Sequence, residues 1–114
     1  MSPVQVNTRT IDGASVIRLE GTIDGGSAPA AQAAIVPLLA PGCRLVIDLA
    51  GVDFMSSAGL RLMLLIFRQV SGAGGKVAMI GLSEEIRDTM SLTGFLDFFT
   101  TADSMDGALL AVHA

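Results

Sequence analysis

Tryptophan and tyrosine are absent from this 114-residue chain, and its formal net charge is −4. Together these remove the basic face and most of the stacking platforms that direct nucleic-acid binding uses. Cysteine is nearly absent too. Cys43 stands alone, so no internal disulfide can form, and no neighbouring cysteine or histidine completes a metal site. It reads as a small apolar filler in a protein of a reducing compartment. The first residues, M-S-P-V-Q-V-N-T-R-T, lack the basic start and the apolar run of a secretory signal, so a cytoplasmic location is expected. Charge is missing altogether between Asp24 and Arg44, a stretch approaching the length of a membrane span. Pro29, Pro37, Pro41, Gln32 and several glycines interrupt it, so no membrane insertion is expected there. Its alanine-rich part reads as a short packed helix that Pro37 kinks or shortens.

What the chain does have is apolar residues, at 51%, enough for one domain to bury its own core. Val4 to Thr10 and Ser15 to Gly21 alternate in polarity around an Asp12-Gly13 turn signal and predict a hairpin. Ala28 to Leu39 predicts a helix, Arg44 to Leu49 a buried strand followed by a short turn, and Ser57 to Ser71 a helix closed by Gly72, Gly74 and Gly75. Lys76 to Ile80 predicts a further strand. Ser83 caps a short helix to about Met90, Phe95 to Thr101 is a weaker strand candidate, and Asp103 or Ser104 starts a last helix to about Val112. An antiparallel start followed by β-α units makes an α/β domain with a mixed sheet and helices mostly on one face.

The segment V-D-F-M-S-S-A-G-L-R, Val52 to Arg61, places two hydroxyls where a strand hands over to a helix. Two readings of a serine near Ser57 are open. It can cap the helix by accepting a hydrogen bond from a free N–H of the first turn, or it can be a phosphorylation switch whose phosphate those same donors favour. At 100° per residue, Leu60, Met63, Leu64, Phe67 and Val70 share the inner side of that helix. Leu62 and Leu65 are then left near solvent beside Arg61 and Arg68. Exposed leucines next to a basic pair suggest a protein-docking patch, although scattered exposed apolar residues are ordinary.

Several blocks in this order carry a resemblance: G-T-I-D at Gly21 to Asp24, L-V-I-D-L-A-G-V-D-F-M-S-S-A-G-L-R at Leu45 to Arg61, G-G-K-V-A-M-I-G at Gly74 to Gly81, and S-L-T-G-F at Ser91 to Phe95. From about Val4 to Val112 the chain resembles a STAS domain, and more narrowly the bacterial anti-sigma factor antagonists. The resemblance implies one STAS domain over residues 1–114 with its core at about 4–112. It implies that Ser57 is phosphorylated by a kinase-type anti-sigma factor, an ATP-binding serine kinase, and dephosphorylated by a metal-dependent serine phosphatase. It implies that Asp24 lies close to the acceptor. The expected partner-binding set is Asp24, Ser56, Ser57, Ala58, Gly59, Arg61, Leu62 and Leu65. The best-known antagonists carry aspartate before the acceptor and often serine or threonine after it; this chain has Ser56 and Ala58. Ser56 is therefore the alternative acceptor. Gly25 and Gly26 after Asp24 suggest a mobile loop.

Other chemistry finds little support in these residues. S-G-A-G-G-K at Ser71 to Lys76 lacks the early glycine, the hydroxyl after lysine and the following helix of a phosphate-binding loop, so it reads as a turn. His113, the single histidine, has no paired ligand or nucleophile, and the serines lack a nucleophile-elbow context. The six methionines sit in apolar runs as core filler. No catalytic residue, cofactor or metal is expected. The leading function is an anti-sigma factor antagonist whose unmodified form captures the kinase and releases a sigma factor. The alternative is a STAS subunit or scaffold of a lipid-transport or signalling complex without a phosphorylation cycle.

Overall fold

A computed structural model describes residues 4–114, apart from the side chain of Phe98. Met1 to Pro3, which open the stretch read for a secretory signal, lie outside the described residues. The chain runs β1 (Gln5–Ile11), β2 (Ala14–Ile23), α1 (Ala28–Ile35), β3 (Arg44–Met55), α2 (Ser57–Gly72), β4 (Lys76–Ile80), α3 (Glu84–Leu92), β5 (Thr100–Thr101) and α4 (Met105–His113). The sheet order is β1-β2-β3-β4-β5. β1 and β2 pair antiparallel, and every later neighbour pairs parallel.

The hairpin forms where Asp12 and Gly13 both take positive φ, 50° and 81°, as a tight two-residue turn demands. Residues on alternate sides of the strands then build two cores. Ile17, Leu19, Leu45, Ile47 and Leu49 point to the face covered by α1, α2 and α3. Val16, Val46, Ala78 and Ile80 point to the other face, where α4 alone packs through Ala108, Leu109 and Val112. The expected arrangement, helices mostly on one face, is the observed one.

Helix ends follow their chemistry. Ser83 accepts from the Ile86 amide at 3.2 Å and Ser104 from the Gly107 amide at 3.1 Å, each capping the helix behind it. Pro37 limits α1 as expected: the helix stops at Ile35 and a 3-10 turn, Val36–Leu38, finishes it. The run after α2 is the expected turn. Gly74 takes φ 79°, the Gly75 amide bonds the Val70 carbonyl at 2.8 Å, and the Gly74 amide bonds that of Ser71 at 3.2 Å. Cys43 is half-buried against the core, and burial pushes its thiol pKa up, which fits the filler reading.

Two spans differ from expectation. The candidate strand Phe95 to Thr101 is mostly a 3-10 turn, Phe95–Phe98, and only Thr100 and Thr101 pair with β4. Phe99 instead meets Phe67 of α2 edge-on, ring centres 5.6 Å apart, so packing under α2 takes the phenylalanine that alternation assigned to a strand. The second difference is β3, which does not turn after Leu49 but continues to Met55. Beyond Asp48 it leaves β4 and stays paired only with β2, through register shifts around Glu20 and Gly21. Gly51 permits this. A Cβ there would stand 2.7 Å from Glu20 Cγ and 3.3 Å from the Leu19 carbonyl oxygen. The bulged continuation brings Val52 and Met55 back to the helix-covered core, and burial of both holds it.

Candidate functional site

The extension of β3 is what builds the site, because it carries the two serines past the sheet to the end of β2. Ile23 and Met55 are register partners, and the Ser56 amide donates to the Ile23 carbonyl at 2.9 Å. Asp24 follows Ile23 directly. Asp24 thus stands one residue beyond the β2 position that pairs with Met55.

The two hydroxyls have separate surroundings. Ser56, half-buried with extended backbone, is the N-cap: its Oγ accepts from the Ala58 amide at 3.2 Å. Ser57 is the first helical residue, is exposed, and its hydroxyl makes no hydrogen bond among the described residues. The capping expected of a serine near Ser57 therefore belongs to Ser56. A capping side chain must sit outside the helical φ/ψ region to reach back to the first-turn amides, and Ser57 is already inside it.

Asp24 is committed to its own loop. Its Oδ1 accepts from the Gly26 amide at 2.9 Å and the Ser27 amide at 3.0 Å. Ser27 returns the tie, accepting from the Asp24 amide at 3.0 Å and donating to the Thr22 carbonyl at 2.6 Å. These bonds tie the loop carrying Gly25 and Gly26 to the start of α1. Asp53 lies on the outward side of β3, exposed.

Gly59 is buried, and the reason is spacing. A Cβ on it would come 2.5 Å from Met55 Cγ and 3.0 Å from both Ile23 Cγ2 and the Ile23 carbonyl oxygen. Only glycine lets the first turn of α2 sit this close to β2. Ala58 is half-buried at the mouth of a groove of about 190 Å³ between α1 and α2, bordered by Ala28, Pro29 and Gln32 on one side and Arg61 and Leu65 on the other.

The helix is rotated from the expected setting. Leu62 is 3% exposed and part of the core, not near solvent, while Leu65 is exposed at 36% as expected. Leu64 and Phe67 are only half-buried, and Ile66 is fully buried. Periodicity located the sheet-facing stripe but not α1, whose Ala28, Ala31 and Ile35 join the same cluster as Leu62 and widen the buried stripe on that flank. Leu60, Met63 and Val70 are buried as expected. Arg61 and Arg68 are exposed and form no salt bridge among the described residues; with Leu64, Leu65 and Gln69 they border an open hollow of about 520 Å³. α1 carries no charged residue and α2 no acidic one, so this surface is positive on an acidic protein.

Phe54 was not anticipated. It is 53% exposed at the end of β3 and borders a hollow with Glu85 and Thr89 of α3. Alternation alone would put Phe54 on the same face as buried Val52, so its exposure follows from the irregular pairing of this stretch with β2, which sequence pattern does not show. On the opposite face, Arg18 bridges Glu20 at 2.7 Å and Asp48 at 3.2 Å, and Asp48 also accepts from the Ala50 amide at 2.9 Å. That cluster satisfies itself. Among the described residues no group of three or more histidine, cysteine or acidic side chains is placed to hold a metal. No helix among them is long and apolar enough to cross a membrane.

Comparison with known proteins agrees with this geometry. Residues 5–108 match the STAS domain family. The chain is 32% identical over 102 residues to BtrV of Bordetella bronchiseptica, covering 89% of this chain and 88% of that protein. It is 31% identical over 93 residues to the anti-sigma-B factor antagonist of Bacillus subtilis, covering 82% and 85%. The crystal structure of an anti-sigma factor antagonist from Mycobacterium paratuberculosis superposes with a TM-score of 0.87 at 30% identity, covering 97% of this chain and 95% of that one.

Proposed function

The chain belongs to the STAS domain family, and on that footing we propose that it is an anti-sigma factor antagonist switched by phosphorylation of Ser57. Unmodified, it binds a kinase-type anti-sigma factor and so releases a sigma factor. The kinase moves the γ-phosphoryl group of ATP to Ser57 Oγ, the hydroxyl proton leaves to a base or solvent, and ADP departs. A metal-dependent serine phosphatase returns the hydroxyl by hydrolysis. The protein works by binding, in the cytoplasm, and the chemistry belongs to its partners.

One observation carries the choice of acceptor. Ser57 is exposed with its hydroxyl unengaged, whereas Ser56 Oγ is held to the Ala58 amide. The proposed partner surface runs from Asp24 and the two serines over Ala58 to Arg61 and Leu65. Gly59 and Leu62 support it from beneath, because both are buried. A phosphate brings about −1.5 to −2 charges to the exposed start of α2, one residue after the N-cap Ser56. Each ~1.4 kcal/mol of added desolvation or repulsion is a tenfold loss of affinity, so a single phosphate suffices to separate bound from free. The fold is kept, since negative charge at a helix N-terminus is favourable.

Incubation with a cognate kinase-type anti-sigma factor and Mg-ATP, followed by peptide mapping, tests the assignment. Single modification at Ser57 is expected. Phosphate on Ser56 alone, or none with a kinase active on another antagonist, would refute it.

A further inference from the structure

Arg61 stands one helical turn beyond Ser57 on α2. The two lie four apart on α2, both exposed, and Arg61 has no acidic partner among the described residues. Side chains four apart on a helix are neighbours, with Cβ atoms about 5–6 Å apart. Direction favours the contact as well: a helical side chain leans toward the N-terminus, which puts the turn that starts at Ser57 within reach of the Arg61 guanidinium. We propose that Arg61 is the intramolecular counter-ion of phosphoserine 57, an assignment that rests on the reading of Ser57 as the acceptor.

The surrounding charges sharpen the role. Of the segments meeting at the junction, the loop after β2 supplies Asp24, the end of β3 supplies Asp53, α3 supplies Glu85 beside Met55, and α1 supplies no charge. These carboxylates all oppose a dianion. Arg61 is the cation one turn away on the same helix, while Arg68 is eleven residues further than Ser57, about 16 Å along the axis. A guanidinium also matches phosphate geometry with paired N–H donors, which an ammonium does not. Ser56 is differently placed. Five residues from Arg61 and outside the helix, it lacks the four-residue spacing that makes helical side chains neighbours.

The pair gives the switch a second effect. Phosphorylation adds negative charge, and it also withdraws Arg61 from the positive strip formed with Arg68 around Leu65, where a partner's carboxylate would otherwise meet it. The modification thereby acts on a surface one helical turn wider than the modified residue.

The test places phosphoserine at position 57 during translation, without any kinase, and follows the phosphorus NMR titration of the folded full chain. The second phosphate pKa is expected about 0.2–0.4 units lower with Arg61 present than in Arg61→Gln, the size of a favourable exposed pair at this spacing. Arg61→Lys should restore part of the shift, Arg68→Gln should leave it intact, and 1 M salt should shrink it. Equal pKa values with and without Arg61 overturn the proposal, as does an equal Arg61 dependence for phosphoserine placed at position 56. Because no kinase is used, a flat titration counts against the pair and leaves Ser57 as acceptor. A kinase that ignores Ser57 counts against the acceptor and leaves a measured pair standing.

Discussion

Replacing Gly59 by alanine should destabilise the protein even though alanine is the better helix former. In an open helix interior the change gains about 1 kcal/mol. Here the new methyl would stand 2.5 Å from Met55 Cγ and 3.0 Å from the Ile23 carbonyl oxygen and Cγ2. Met55 is flexible and can swing aside. The Ile23 carbonyl cannot, because β2 is register-paired with β3 at Met55 and that oxygen accepts the Ser56 amide at 2.9 Å. Overpacking of this kind costs about 1–3 kcal/mol, and a fixed backbone atom places this case toward the upper end. The expected net loss is about 1–2 kcal/mol, read as a lower urea midpoint at unchanged slope. Gly72→Ala is the internal control. It makes the same chemical change in the last residue of the same helix, where a Cβ meets nothing within 4 Å, and should be neutral or stabilising by up to ~1 kcal/mol. A Gly59→Ala protein as stable as the parent would refute the close approach of α2 to β2, and with it the geometry that sets Ser56 against Ile23.

Leu62→Ala should cost about 2–5 kcal/mol in denaturant unfolding as a core truncation, and Leu64→Ala distinctly less, because Leu64 is only half-buried. Leu65→Glu should leave stability within about 0.5 kcal/mol while weakening binding of the kinase-type anti-sigma factor by calorimetry; full affinity would remove Leu65 from the proposed surface. The serines should separate as well. Ser56→Ala should lose about 1 kcal/mol with the cap, whereas Ser57→Ala should be nearly neutral in thermal unfolding. In binding, Ser57→Ala should hold the partner constitutively and Ser57→Asp should hold it more weakly. A folded Ser57→Ala protein that no longer binds would make the hydroxyl itself a contact and overturn the account by charge.

Local chemistry alone determined much of this protein. The Asp12-Gly13 hairpin, the caps at Ser83 and Ser104, the stop at Pro37 and the glycine turn after α2 each depend on residues within a few positions of one another. Sequence order likewise placed two serines at a strand-helix junction and Arg61 one turn beyond them. What it left open was decided between segments distant in the chain. Which serine caps α2 depends on where β3 ends, and β3 reaches Met55 only because β2 remains paired with it through a bulge that Gly51 allows. Leu62 is buried because α1 packs on that flank of α2, a contact to which the period of α2 is blind. Phe99 packs under α2 against Phe67 and β5 shrinks to two residues, since burying an aromatic ring outweighed a few more ladder bonds. Asp24 and Ser57, thirty-three positions apart, are brought to one edge by the pairing of Ile23 with Met55, a long-range register that local propensity does not encode.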